Sequence, residues 1–87
     1  MRQHFRVTMN GGVPVGAGTL ATCAMFAMPY VITGKTVYIR NGDDDTVVVE
    51  VKQTGASATR YGSPIPMPDW ADNLLKFLNI NPEVPND

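Results

Sequence analysis

The sequence is short of the residues on which most active sites and metal centres depend. It contains one cysteine, Cys23, and one histidine, His4. A single cysteine cannot form an internal disulfide, and a metal-binding knuckle needs at least two cysteines. His4 has no neighbouring carboxylate in sequence that would orient it as a general base. We therefore predict a protein that is not an enzyme and that has no metal site and no cofactor.

The chain also lacks an excess of either positive or negative charge. Seven basic and eight acidic residues give a net charge of -1, so the chain offers no basic field for a phosphate backbone, and nucleic acid is not expected as a partner. The spacing Gly16-Ala-Gly18 matches part of a dinucleotide fingerprint, but that signal needs a carboxylate about 20 residues later in a βαβ unit. The first candidate, Asp43, lies in an apparent hairpin tip.

One long segment, from Val7 to Gly34, has no charged side chain at all. A membrane-spanning helix needs about 20 mainly apolar residues without strong breakers, and this segment contains Pro14 and Pro29 as well as several glycines. We therefore predict no membrane segment. The segment is expected to be buried in the core, and its lack of charge is typical of a protein that lies against other protein surfaces.

The N-terminal part of the chain has strand-like alternation. Phe5 to Met9 alternates in polarity, and residues 10–12 (Asn-Gly-Gly) tolerate positive φ, which predicts a turn into a returning strand over 13–15. Pro14 places that second strand at a sheet edge or keeps it short. Residues 18–28 are apolar on every side, so periodicity does not separate helix from strand. We favour a strand there.

The clearest strands are residues 36–40 and 46–51, which alternate between valine or isoleucine and polar residues. A five-residue loop over 41–45 is predicted to join them, with Asp43, Asp44 and Asp45 at its tip. Asn41, Asp43 and Asp45 have the alternate spacing of the first ligands of a calcium-binding loop. Thr46, however, occupies the sixth position, where that loop requires glycine. A solvated tip is therefore favoured. Residues 54–63, rich in small and polar side chains, are predicted to be a mobile connection.

The C-terminal part changes to helical periodicity. Asp69 is predicted as the N-cap of a helix that ends near Asn79, with Lys76 in its last turn. One apolar stripe runs along this helix and consists of Trp70, Leu74, Phe77 and Leu78. The stripe can pack on the sheet as core, or part of it can anchor another subunit. Trp70 and Phe77 are the candidate anchors because aromatic residues dominate interface energetics.

Together these elements predict a mainly β fold of about five strands, a small hairpin-rich sandwich or barrel, with one C-terminal amphipathic helix. Residues 1–87 form a single domain, in which 1–4 and 81–87 are terminal arms. A chain of 87 residues has a limited core. The arms are therefore expected to be held by neighbouring subunits.

The segment from Tyr30 to Pro68 resembles small β-rich virion proteins of tailed bacteriophages. The resemblance lies in the hairpin, Thr-Val-Tyr-Ile-Arg-Asn followed by Thr-Val-Val-Val-Glu-Val, and in the proline-rich Gly-Ser-Pro-Ile-Pro-Met-Pro. Capsid decoration and head–tail accessory proteins are the types it is similar to, although these usually end on a strand. The resemblance implies a structural subunit located in the virion, with protein subunits or further copies of the chain as partners. It assigns no functional residue.

A second hypothesis stays open. A small soluble inhibitor or adaptor, located in the cytoplasm, would bind one host protein by placing the acidic tip, residues 43–45, against a basic patch. Mass in solution separates the two hypotheses, since an oligomer favours the structural subunit and a monomer with one host partner favours the adaptor.

Overall fold

A computed structural model describes residues 4–80 of the chain. The strands are β1 (Phe5–Met9), β2 (Val13–Gly18), β3 (Val37–Asn41), β4 (Asp44–Lys52), β5 (Gly55–Arg60) and β6 (Ser63–Ile65). The helices are α1 (Leu20–Ile32) and α2 (Asp69–Leu78), and a 3-10 turn over Asn10–Gly12 joins β1 to β2. Apart from His4, the predicted terminal arms lie outside the described residues.

All six strands form one antiparallel sheet in the order β2-β1-β3-β4-β5-β6. The buried side chains of the strands and of both helices belong to one hydrophobic cluster, so both helices cover the same face of the sheet. The mainly β fold is confirmed. The finer description was inexact, because a single open sheet with six strands and two helices replaces the predicted five-stranded sandwich or barrel.

The core is built from the alternate strand positions that face the helices. Because side chains in a strand alternate between the two faces, every second residue of β1, β3, β4 and β5 is buried. These residues are Phe5, Val7, Val37, Ile39, Val47, Val49, Val51, Ala56 and Ala58, and the helices add Cys23, Ala24, Ala27, Val31, Ala71, Leu74 and Leu75. The opposite face carries polar side chains such as Arg6, Arg40 and Glu50. Antiparallel sheets commonly have this one-sided arrangement.

The strand predicted over residues 18–28 is wrong, because residues 20–32 form α1. Thr19 caps this helix, since its hydroxyl oxygen accepts a hydrogen bond from the backbone N–H of Thr22 at 3.3 Å. Four residues of α1 face the core at helical spacing: Cys23, Ala24, Ala27 and Val31. The remaining faces are apolar too, which hid the helical period in the sequence.

The predicted mobile connection over residues 54–63 is also wrong. Residues 55–60 form β5, which pairs with β4 along its full length. A two-residue turn at Tyr61 and Gly62 leads into β6, and both residues have positive φ, 51° and 82°. Positive φ at both central positions is the type I′ turn that suits the twist of a hairpin. The small residues Ala56 and Ala58 are the inward positions of β5, and both are buried in the core.

The central hairpin has a tighter turn than predicted. β3 continues to Asn41 and β4 begins at Asp44, so only two residues form the turn instead of five. The Asn41 side-chain oxygen accepts a hydrogen bond from the backbone N–H of Asp43 at 2.9 Å, an Asx turn that holds the bend. Gly42 lies against the His4 carbonyl, which accepts its N–H at 2.6 Å. A Cβ at residue 42 would stand 2.9 Å from that oxygen, so glycine is required for this approach.

Helix α2 agrees with its prediction except at its start. Pro68, not Asp69, occupies the N-cap position, and no side chain caps the helix. Asp69 lies inside the first turn together with Asp72, where carboxylates complement the positive end of the helix dipole. The predicted end is confirmed, because Asn79 adopts the left-handed conformation at φ 59°.

Candidate functional site

The most unusual surface of the molecule is the outer face of α1. Met25, Phe26 and Ile32 are 67%, 45% and 64% exposed, and Phe77 of the neighbouring helix α2 is 54% exposed. These four side chains are called the apolar surface below. With roughly 200 Å² available to a large side chain, they present on the order of 400 Å² of apolar area. Patches of this size on a monomer often mark interaction sites.

Helix α1 has no charged residue on any side. A surface helix normally carries charged or polar side chains on the face turned away from the core, and a helix that is apolar all round is normally buried. In the described residues the outer face of α1 is not covered by another element of the chain. An exposed apolar face of this kind often marks an interaction site.

The apolar surface continues toward the edge strand β2 through Phe26. The ring of Phe26 lies over Gly16 of β2, so closely that a Cβ at residue 16 would collide with it. Gly16 therefore has a packing role, since the absence of a side chain lets the ring of Phe26 come close to the strand backbone. Phe26 thereby joins the helix to the edge of the sheet.

The two edges of the sheet differ. β6 is short, and prolines at residues 64, 66 and 68 lie in or near it, which protects an edge against pairing. β2 has six residues, none of them charged, and its regular pairing is interrupted at Pro14 and at Val15. The sequence prediction that Pro14 marks an edge strand is confirmed. Of the two edges, β2 is the one that is open to a further strand.

A shallow groove lies between the two helices beside the apolar surface. It is lined by Leu20, Ala21, Ala24, Asn73, Leu74 and Phe77 and has a volume of about 270 Å³. Its walls are almost entirely apolar, and the side-chain amide of Asn73 is the one polar group among them. Such a groove can receive an apolar side chain from another protein. It has no group suited to acid–base chemistry.

The acidic tip is largely neutralised by the chain itself. Asp44 pairs with Arg60 at 2.9 Å and Asp45 pairs with Arg6, while Asp43 lies exposed in the turn. The three carboxylates therefore do not form one free acidic patch. In the part of the chain that the structure describes, no group of three metal-ligating side chains comes together.

Asp44 is held in its ionised form by its neighbours. The hydroxyl of Thr46 donates to Oδ1 of Asp44 at 2.5 Å, and this hydrogen bond, with a smaller contribution from Arg60, lowers the pKa of the carboxyl below its ordinary value. A carboxyl whose pKa is lower in the folded state adds stability above its unfolded pKa and loses it as the pH falls.

We therefore expect Asp44→Asn to weaken the pH dependence of stability at the acid end. The melting temperature of the wild type should fall as the pH drops below about 4, and the fall should be smaller in the variant. Asp43→Asn, in the same hairpin, is the matched control and should keep the wild-type profile. Parallel melting curves for wild type and Asp44→Asn throughout the acid range would contradict the assignment.

The structure separates the two candidate aromatic anchors. Trp70 is half-buried and packs on Phe5, with ring centroids 5.1 Å apart, so it belongs to the contact between α2 and the sheet. Phe77 is on the exposed side of α2 and joins the apolar surface. Sequence analysis did not identify Met25, Phe26 and Ile32 as site residues, because their segment was assigned to the core.

Cys23 is a fully buried core residue of α1. Its side chain is buried, and Sγ is 3.4 Å from the Phe5 carbonyl oxygen, to which it can donate. Burial raises the pKa of this thiol, which makes it unreactive at neutral pH. Cys23 is therefore a packing residue of α1, as the sequence predicted.

None of the described helices is both long and apolar enough to cross a membrane. Comparisons of the chain with protein-family models, with curated proteins and with solved structures found no match.

Proposed function

We propose that this chain is a non-enzymatic assembly subunit that binds other protein subunits through the apolar surface of α1 and α2. The observation that carries the proposal is the outer face of α1, where Met25 and Ile32 are about two thirds exposed without a charged residue on the helix. Leaving that area in water is unfavourable by about 25 cal/mol per Å². A binding partner that covers it recovers this free energy.

The side chains of the apolar surface suit protein contacts. Met25 is flexible and polarizable and can adapt to an irregular surface, whereas Phe26 and Phe77 are rigid anchors of the type that dominates interface energetics. The groove beside Phe77 provides a complementary depression. Exposed apolar side chains beside an apolar groove can give the shape complementarity that a subunit contact requires.

We further propose that the assembly is a tailed-phage particle and that the chain is a decoration or head–tail accessory protein. The support for this finer proposal is the resemblance of the central hairpin and of the proline-rich segment before α2. Copies of the chain or capsid and tail proteins would be the partners. The virion would be its location.

The adaptor hypothesis receives less support from the site. It requires a free acidic tip, but Asp44 and Asp45 are each paired with an arginine of the same chain. Asp43 alone would then have to provide most of the attraction to a basic patch. Electrostatic steering by one exposed carboxylate is weak at physiological salt.

The test replaces one residue of the apolar surface by a charged one. Met25→Lys places a cation in the proposed contact while leaving the core unchanged, and Thr54→Lys adds the same charge in the exposed turn between β4 and β5. We expect Met25→Lys to lower incorporation into purified particles, measured by quantitative mass spectrometry, by about tenfold or more. Thr54→Lys should be incorporated like the wild type, and both variants should keep the wild-type fold.

Two results would contradict the proposal. Equal incorporation of both variants would show that the apolar surface is not the contact. A stable wild-type monomer that binds a single host protein, with binding lost in Asp43→Asn, would instead favour the adaptor.

A further inference from the structure

We infer that the Phe26 side of α1 and the β2 edge are covered by a second copy of this chain, joined to the first by antiparallel pairing of the two β2 strands. This inference rests on the proposed function and names the partner of the same site. The product would be a twofold-symmetric dimer with one continuous twelve-stranded sheet, twice the six strands of one copy.

The first argument is the state of the β2 edge. In the described residues no strand pairs with its outer side, so a row of backbone N–H and C=O groups is left without strand partners. Natural proteins protect such edges with charges, prolines or bulges, because an unprotected edge invites another strand. β2 has Pro14 near its start and a register shift opposite residues 7 and 8 of β1. Val15 is the extra residue of this shift, so the regular part of the edge is residues 16–18, which have neither a proline nor a charge.

The second argument is self-complementarity. A twofold contact places the same patch on both partners, so any charge near the axis faces its own copy. An antiparallel pair of identical strands has this symmetry. Residues 13–18 are uncharged, and so is the whole of α1, which means that nothing at this edge repels a second copy. A partner recognised by charge would find no matching group here.

The third argument is the position of α1 over the edge. α1 packs chiefly on β2 and also on β1. Strands in a sheet are about 4.8 Å apart, so a helix axis midway between β1 and β2 lies about 5 Å from a twofold axis at the outer side of β2. The two α1 helices would then be about 10 Å apart, the distance at which helices pack. One contact would therefore bury both the strand edge and the edge-facing side of α1.

Phe26 lies where the two helices would meet. Its ring covers Gly16 on the β2 side of α1, so the pairing of two β2 strands would bring the two Phe26 rings toward the axis. Together with exposed Val13, these side chains supply the apolar part of the contact, and the strand backbone supplies its hydrogen bonds. Met25, Ile32 and Phe77 lie on the side of α1 turned toward α2, so the contact is smaller than the roughly 800 Å² per partner of a standard interface and depends on the strand pairing.

The test uses a matched pair of edge variants. Ala17→Glu places a carboxylate on the exposed side of β2, opposite Arg6 of β1, and Ser63→Glu places one on the other edge, opposite Arg60 of β5. Each new carboxylate has an arginine across the strand pair, so both variants should fold. In a β2 dimer, however, the two carboxylates of Ala17→Glu would face each other across the axis.

Sedimentation equilibrium of the wild type should show a dimer, and Ala17→Glu should raise its dissociation constant by about tenfold or more. Ser63→Glu should dimerise like the wild type. Isotope-filtered NMR on a mixture of labelled and unlabelled chain should show Hα–Hα contacts between the two β2 strands, which only antiparallel pairing brings close.

Each other result has a definite meaning. A wild type that stays monomeric up to about 1 mM would overturn the dimer, and the proposed function would survive if Met25→Lys still lowered particle incorporation. A dimer that is lost in Met25→Lys but kept in Ala17→Glu would overturn strand pairing and leave the apolar surface as the contact. A dimer that persists in both Met25→Lys and Ala17→Glu would contradict strand pairing and would also exclude the apolar surface as the dimer contact.

Discussion

Replacing Phe5 by alanine is expected to lower the free energy of unfolding by about 3 to 5 kcal/mol. Phe5 is 2% exposed and is the largest of the fully buried side chains in the described core. Its ring contacts Trp70 of α2 at a centroid distance of 5.1 Å, so it links the first strand to the last helix. Truncation would remove the buried area and leave a cavity that the surrounding strands cannot fill.

The control for this prediction is the next residue of the same strand. Arg6 points to the opposite, open face of the sheet, where it forms an exposed ion pair with Asp45. Exposed pairs contribute up to about 1 kcal/mol, so Arg6→Ala should change the stability much less than Phe5→Ala. Urea unfolding measures both changes. Similar losses in the two variants would contradict the assignment of β1 to the centre of the core.

The strands that could be predicted from the sequence are those with strict alternation. β3 and β4 have a valine or isoleucine at nearly every second position, because one face lies under the helices and the other is open. β5 was missed because its inward residues are Ala56 and Ala58. Their small size suits the helical layer above them, but in the sequence they resemble the small residues of a loop.

Helix α1 was missed for a different physical reason. Periodicity becomes visible only when one side of an element is polar, and α1 is apolar on its inner side, at Ala27, and on its outer side, at Met25. The lack of polar residues in α1 therefore explains both why the helix was missed and why its exposed face is apolar. A helix without a polar side shows neither its period nor its exposed face in the sequence.

The candidate site was predictable only in part. Phe77 was identified because α2 has a clear polar side against which an aromatic residue stands out. Phe26 and Gly16 could not be identified, since their contact depends on α1 folding back over β2 after the single residue Thr19. The order of the sheet, in which β1 separates β2 from β3, is likewise a long-range property. No local pattern encodes it.

Replacing Trp70 by alanine tests whether this residue is a core residue or a subunit anchor. Trp70 is half-buried, and besides Phe5 it lines a cleft with Val47, Ile65 and Pro68. We expect Trp70→Ala to lower the free energy of unfolding by about 2 to 3 kcal/mol, less than a fully buried aromatic residue would lose. Trp70→Phe should restore most of this loss, because a ring can still pack on Phe5.

A double-mutant cycle between Phe5→Leu and Trp70→Leu isolates the contact between the two rings. Aromatic pairs contribute about 0.5 to 1.5 kcal/mol beyond the area they bury, so the two changes should be non-additive by that amount. Light scattering should show that Trp70→Phe associates like the wild type, because the ring faces the sheet rather than the apolar surface. An unchanged melting temperature in Trp70→Ala, together with lost association, would instead make Trp70 an interface anchor and would move the contact from α1 to the cleft between α2 and β6.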